Sequence, residues 1–246
     1  MADDRWILPD WPVPANVRAV VTTRQGPGVS AAPFDRFNLG SRCGDDPVAV
    51  ASNRAALVTG LGLPSAPRWL RQVHGIAVAG KTNEGFEPAA DAAYTTAGSE
   101  VLAILTADCM PVLFASDDGE EIAAAHAGWR GLGGGVLEAT VGAFVAAPAH
   151  IVAWMGPCIG AVSYEVGDEV REAFVSHDTG AAAAFVPTRP GHWLCDLYVL
   201  ARLRLQALGV SNIHGGGFDT FTDRRLYSYR RDGGGSGRFA TLIWKV

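Results

Sequence analysis

Between Arg68 and Met155 the chain is written as short, nearly unbroken apolar runs separated by small loops: Arg68–Val73, Val101–Ala107, Val112–Ala115, Glu121–Ala125 and Ile151–Met155. A strand with one wet face alternates apolar with polar residues, so this near-continuous apolarity points to strands covered on both faces. Period alone does not separate such runs from buried helix segments. Val17–Thr22 (VRAVVT) is β-branched and bounded by turns, a further strand, and Arg238–Val246 reads as a final one. Around them lie helical patterns. Asp46-Pro47 supplies an N-cap with proline at the first helical position, and the apolar positions Val50, Leu57, Val58 and Leu61 follow before Gly62. Val136–Val145 and Gly167–Val175 are shorter helix candidates, and Asp196–Leu208 is capped by Asp196 and ended by Gly209. Strands clustered in the middle, with helices before, between and after them, predict an α+β fold with helix-covered sheets. No linker or repeat divides residues 1–246, so a single domain is expected.

Composition narrows the function classes. Charged residues make up 18% and hydrophobic residues 48% of the 246, which excludes a disordered chain. A formal net charge of −5 argues against a nucleic-acid coat or a binder of anionic membranes, while leaving room for a local basic pocket. The most apolar long stretch, residues 136–155, is broken by Glu138, Pro148 and His150, so no membrane span is expected. The N-terminus lacks an apolar signal core, and Cys43, Cys109, Cys158 and Cys195 are scattered without a CxxC pair. A cytoplasmic protein without a disulfide framework is the expectation.

Three segments place His or Cys at the end of a predicted strand: Gln72-Val73-His74, Ala107-Asp108-Cys109 and Ala125-His126-Ala127. Strand ends are where a layered scaffold presents functional side chains most rigidly. Two imidazoles and one thiolate form a set that zinc accepts tetrahedrally, with a fourth position left for water. The spacings match no zinc finger, and Cys109 with His126 as base suits a nucleophile equally well. Read singly, each of the three also suits a packed interior. Gly156–Gly160 is a candidate oxygen- or anion-binding loop, as is Tyr229–Asp232 ahead of the glycine-rich Gly233–Gly237. Arg130, four residues after His126, has the forked guanidinium that phosphate or carboxylate recognition needs. Gly131–Gly135 is neither a Walker loop nor a dinucleotide fingerprint.

Six segments in order, FNLG…CGDDP…NR (Phe37–Arg54), RQVHG (Arg71–Gly75), ADCMPVLF (Ala107–Phe114), AHAGWRGL (Ala125–Leu132), GPCIG…YEVG (Gly156–Gly167) and YSYRRD…GRFATLIW (Tyr227–Trp244), resemble the YfiH/DUF152 family. The likeness runs from about Val17 to the C-terminus. It implies an α/β/β/α arrangement of mixed sheets, related in core to the catalytic domain of cytotoxic necrotizing factor. It also implies a zinc held by His74, Cys109 and His126. Members of this family phosphorolyse adenosine, inosine, guanosine and methylthioadenosine and deaminate adenosine. An older assignment gives them copper-dependent phenol oxidation, and some are linked to editing of peptidoglycan precursors. The resemblance thus makes purine nucleosides and phosphate the expected partners. Asn38, Arg42, Gln72, Arg130, Tyr164 and Arg230 are the substrate-binding candidates. By analogy with zinc deaminases of another fold, Asp108 is the nearest candidate proton shuttle in sequence, with Asp91 and Glu165 behind it.

Two departures from the family pattern stand out. Arg42 replaces a histidine in the NLG-x-H-x-GD segment, and Asp219-Thr220 replaces Cys-Thr before the YSYRRD stretch. Three other readings compete with the zinc nucleoside enzyme: a copper polyphenol oxidase, for which six histidines are few, a Cys109–His126 hydrolase, and a noncatalytic zinc-stabilised interaction protein.

Overall fold

The computed structural model describes residues 4–80 and 87–246. Two sheets form its middle. One has the strand order Trp6–Ile7, Val17–Thr22, Phe239–Lys245, Val101–Thr106, with every neighbour antiparallel. The other runs Asn212–Gly215, Ile151–Met155, Met110–Ser116, Ile122–Ala127, Ala92–Thr95, Val78–Ala79. It is antiparallel at its centre and parallel at both edges. A small third sheet joins Phe185–Pro187, His192–Cys195 and Glu165–Gly167.

The two large sheets face each other, and strand alternation sorts their residues between layers. Leu102 and Ile104 meet Leu113, Ala115, Ile122 and Ala124 between the sheets. Val101 and Ala103, on the other face of the same strand, pack with Leu57 of the helix Pro47–Leu61. Val112, Phe114, Ala123 and Ala125 turn outward beneath the helices Val136–Val141 and Leu197–Ala207, through Val136, Leu137, Leu200 and Leu205. Both faces of each central strand are therefore buried, which is why the runs carry so few polar residues. The layering is α/β/β/α, and the fold is α+β.

Local chemistry ends the helices as expected. Asp46 accepts from the Val48 amide at 3.0 Å, and Gly62 closes that helix in a left-handed conformation at φ 58°. Asp196 accepts from the amides of Tyr198 and Val199 at 2.9 and 3.1 Å. The helix expected over Val136–Val145 stops at Val141, with Gly142 as its cap. Arg68–Val73 is not a strand; its backbone pairing with the first sheet is a single parallel bridge between Arg68 and Leu102. The reason is that a side chain replaces the ladder there: the Gln72 amide bonds the main chain of Leu105. Unforeseen strands include Ala92–Thr95 and Asn212–Gly215, both only four residues long. Among the described residues no helix is long and apolar enough to cross a membrane.

Candidate active site

Each of three side chains reaches the same point by a different route. His126 stands near the end of the Ile122–Ala127 strand. Cys109 lies where the chain crosses from one large sheet to the other, between Val101–Thr106 and Met110–Ser116. His74 ends the extended segment that Gln72 fastens to Leu105. Two non-glycine residues here adopt left-handed backbone, His74 at φ 59° and Asp108 at φ 91°. Such conformations cost roughly 1–2 kcal/mol for a residue bearing a Cβ, so neighbours must hold them in place.

The donor atoms of His74, Cys109 and His126 all lie within 4.8 Å of one another. Cys109 Sγ is 3.9 Å from His74 Nε2, and the two imidazoles meet edge to face with centroids 4.8 Å apart. Burial pushes the Cys109 thiol up, but the imidazoles of His126 and His74 outweigh it and bring the thiol below its ordinary range. Burial would lower His126, yet Cys109 and then Asp91 raise it. The pair thus favours a thiolate beside an imidazolium; the thiolate is the form in which a thiol ligates metal, and His126 would give up its Nε2 proton to do the same. Gly128 keeps the front of the group open, since a Cβ there would sit 2.8 Å from Cys109 Sγ and 3.2 Å from His74 Cδ2. Two imidazole nitrogens, one thiolate and open space in front of them fit a metal ion with an accessible position.

Behind the donors, Asp91 stands opposite His126 in the antiparallel register of Ala92–Thr95 with Ile122–Ala127. It is fully buried. Its carboxylate accepts from His126 Nδ1 at 2.8 Å and from the amides of Val73, His74 and Gly75 at 3.1, 2.9 and 2.7 Å. Burial raises its pKa, but these hydrogen bonds and the His126 charge bring it down overall. With no solvent access, Asp91 is not placed as a proton shuttle.

The donors open into a cavity of about 530 Å³ lined by Arg42, Gln72, His74, Asp108, Cys109, His126, Arg130, Tyr164 and Arg230, among others. Arg130 stacks on Trp129 at 4.4 Å, and Arg230 lies over Tyr164 at 5.2 Å. Arg230 also donates to the Glu165 carbonyl at 3.0 Å. Neither guanidinium has a carboxylate partner among the described residues. Asp108 accepts from Thr220 Oγ1 and from the Arg230 amide, each at 2.6 Å, so it fastens the Tyr229–Asp232 helix to the site. Glu165 faces elsewhere, paired with Arg189 at 2.9 Å.

Three of the other expected residues play parts the sequence did not indicate. Asn38 is not in the lining: it is wholly buried, and its side chain bonds Gly40, Asp45 and the Arg238 amide, which shapes the wall from beneath. Gln72 reaches the cavity, but both ends of its amide are committed to Leu105. Arg42 is largely exposed and shares Glu87 with Arg54, at 3.0 and 2.9 Å. Sequence reasoning did not single out Glu87, Arg54, Arg238 or Trp129, because nothing local marks them as neighbours of the site. At the second departure from the family pattern, Asp219 accepts from the Gly160 amide at 2.9 Å and from Ser163 Oγ at 2.6 Å. It braces the Gly156–Gly160 loop, whose role is thus partly structural.

Comparison with known proteins agrees with this picture. Residues 18–246 match the family model described as multi-copper polyphenol oxidoreductase laccase. A protein of Xylella fastidiosa named purine nucleoside phosphorylase is 54% identical, across 97% of this chain and 96% of its own length. Purine nucleoside phosphorylase YfiH of Escherichia coli is 49% identical across 98% of both chains. The crystal structure of a DUF152 protein from Neisseria meningitidis superposes with a TM-score of 0.93 at 44% identity, covering 98% of this chain and 99% of that one. With its layered sheets, its clustered His74, Cys109 and His126, and these near-full-length likenesses, the chain belongs to the YfiH/DUF152 family.

Proposed function

We propose that the protein is a zinc-dependent purine nucleoside enzyme that phosphorolyses adenosine, inosine, guanosine and methylthioadenosine and deaminates adenosine. The observation that carries this reading is one cavity that joins a His-Cys-His donor group to two arginines free of carboxylate partners among the described residues. Its volume, about 530 Å³, is in the range of small-molecule sites. The names of the bacterial relatives support the substrate class.

His74, Cys109 and His126 would hold the zinc, which supplies Lewis acidity for activating water or polarising a substrate oxygen. In phosphorolysis the phosphate oxygen forms the bond to C1′ of the sugar while the bond to the base nitrogen breaks, and the base leaves with the electron pair. Arg130 and Arg230 are suited to fork onto the phosphate and hold it in line for this exchange. Deamination adds water at C6 of adenine and expels ammonia, so protons must move. Asp108 faces the cavity next to Cys109 and is the carboxylate proposed to carry them. Tyr164 offers an aromatic ring beside Arg230 for packing against the nucleoside.

The test is turnover of adenosine by zinc-loaded protein, with and without phosphate, with products identified. Adenine plus ribose 1-phosphate in phosphate, and inosine without it, are the expected results. Loss of both activities on chelation and recovery with zinc would tie them to the donor group. Phenol oxidation with copper in place of nucleoside turnover would overturn the reading. Metal-independent amide hydrolysis through Cys109 would do the same.

A further inference from the structure

We infer that Asp91 is the positioning residue of the donor group, a single buried carboxylate that sets two of the three donors at once. It orients His74 through the backbone and His126 through the ring. This rests on the metal-binding part of the proposed function, and not on the substrate class.

A carboxylate removed from water is costly unless its oxygens are hydrogen-bonded. Asp91 is fully buried, and four N–H groups meet its two oxygens. Three of them are successive amides, Val73, His74 and Gly75. Consecutive amides converge on one anion where the chain turns through a left-handed residue, forming a nest. His74 is that residue, at φ 59°. The anion therefore offsets the backbone cost at His74, and the direction of the His74 side chain follows from the nest.

The fourth donor is His126 Nδ1, at 2.8 Å. A proton held on Nδ1 by a carboxylate leaves Nε2 as the ring's ligating nitrogen and raises its basicity. The His126 amide also donates to the Asp91 carbonyl at 2.6 Å, so ring and main chain are tied to the same residue. Asp91→Asn keeps the shape but replaces one acceptor oxygen with a donor NH2. Four N–H groups then compete for one oxygen, and either the nest or the ring must give.

The experiment measures zinc affinity by competition with a chromogenic chelator for wild type, Asp91→Asn and Glu121→Gln. Glu121 is a second buried carboxylate, bonded to Tyr94 and to the Val145 and Ala146 amides, away from the donors. Asp91→Asn should bind zinc ~10–100-fold more weakly, the usual effect of losing a carboxylate behind a ligating histidine, while Glu121→Gln stays within about threefold of wild type. Nitrogen-15 NMR of the zinc-loaded wild type should show the His126 proton on Nδ1 and the metal on Nε2. That measurement decides the question even if Asp91→Asn does not fold. A folded Asp91→Asn with wild-type zinc affinity would overturn the inference, as would ligation of His126 through Nδ1. Equal weakening in Glu121→Gln would reduce the effect to general destabilisation and overturn it too. Because no nucleoside enters the assay, failure of the substrate reading leaves these outcomes intact.

Discussion

The side-chain amide of Gln72 pairs with the main chain of Leu105 as a strand residue would, its Nε2 donating to the Leu105 carbonyl at 2.8 Å and its Oε1 accepting from the Leu105 amide at 2.9 Å. This pair anchors the segment that delivers His74. Gln72→Leu leaves both Leu105 groups without those partners and should cost ~1–3 kcal/mol of stability for the unsatisfied groups. Urea denaturation would measure it, and zinc affinity should fall in the same variant.

Gly128→Ala tests the open space before the donors. The glycine has an ordinary extended backbone, φ −68° and ψ 162°, so alanine meets no conformational penalty there. Its Cβ would nevertheless crowd Cys109 Sγ at 2.8 Å. Thermal melting should change little, whereas nucleoside turnover should fall by roughly 100-fold, the scale of a 1 Å misplacement at a reacting centre.

If Arg130 clamps phosphate, Arg130→Lys loses the two-pronged geometry and keeps the charge. Phosphate KM should rise about 10–100-fold, the worth of one hydrogen bond to a charged group. Deamination, which uses no phosphate, should be nearly unchanged. Equal losses in both reactions would instead place Arg130 against the nucleoside.

Cys109→Ser separates a ligand from a nucleophile. Serine exchanges a soft thiolate for a hard, weakly acidic hydroxyl, so zinc content and turnover should fall together, and excess zinc should restore part of the activity. Metal analysis alongside kinetics reads the result. Full zinc with no activity would favour the cysteine hydrolase.

Glu121 carries a pH prediction for stability. Burial raises its pKa, but the bonds from Tyr94, Val145 and Ala146 bring it below the usual carboxylate range. A carboxyl depressed in the folded state contributes stability that is fully present above its unfolded pKa of ~4.3 and is lost as pH falls through the lower folded value. Unfolding free energy of the wild type should therefore drop below about pH 4, and Glu121→Gln should flatten that slope. Denaturant titrations across this range would show it.

Several features needed only neighbouring residues. The caps at Asp46 and Asp196 bond amides two or three positions along, so their geometry is local and legible in the residue types. The doubly buried strands Val101–Thr106, Met110–Ser116, Ile122–Ala127 and Ile151–Met155 announce themselves by apolarity, because no face of theirs meets water. Cys109 and His126 were visible at strand ends, and all three candidates through the motifs around them, although the strand expected before His74 does not form. That their donors converge within 4.8 Å was not, since the spacing matches no local metal motif.

Tertiary structure decided what depends on partners remote in sequence. Arg68–Val73 has the composition of a strand, but Gln72 bonds a residue 33 positions away through its side chain and the ladder never forms. Asn38 sits in a site motif, yet the Arg238 amide, 200 positions away, claims its oxygen and holds it beneath the cavity wall. Asp91, in sequence one acidic residue among 25, becomes the common partner of His74 and His126 only when two antiparallel strands set it opposite His126. Periodicity and capping report the short-range preferences of a chain. The choice of partner for a buried polar group is a long-range one, made when packing removes water and each such group must bond whatever the fold has brought beside it.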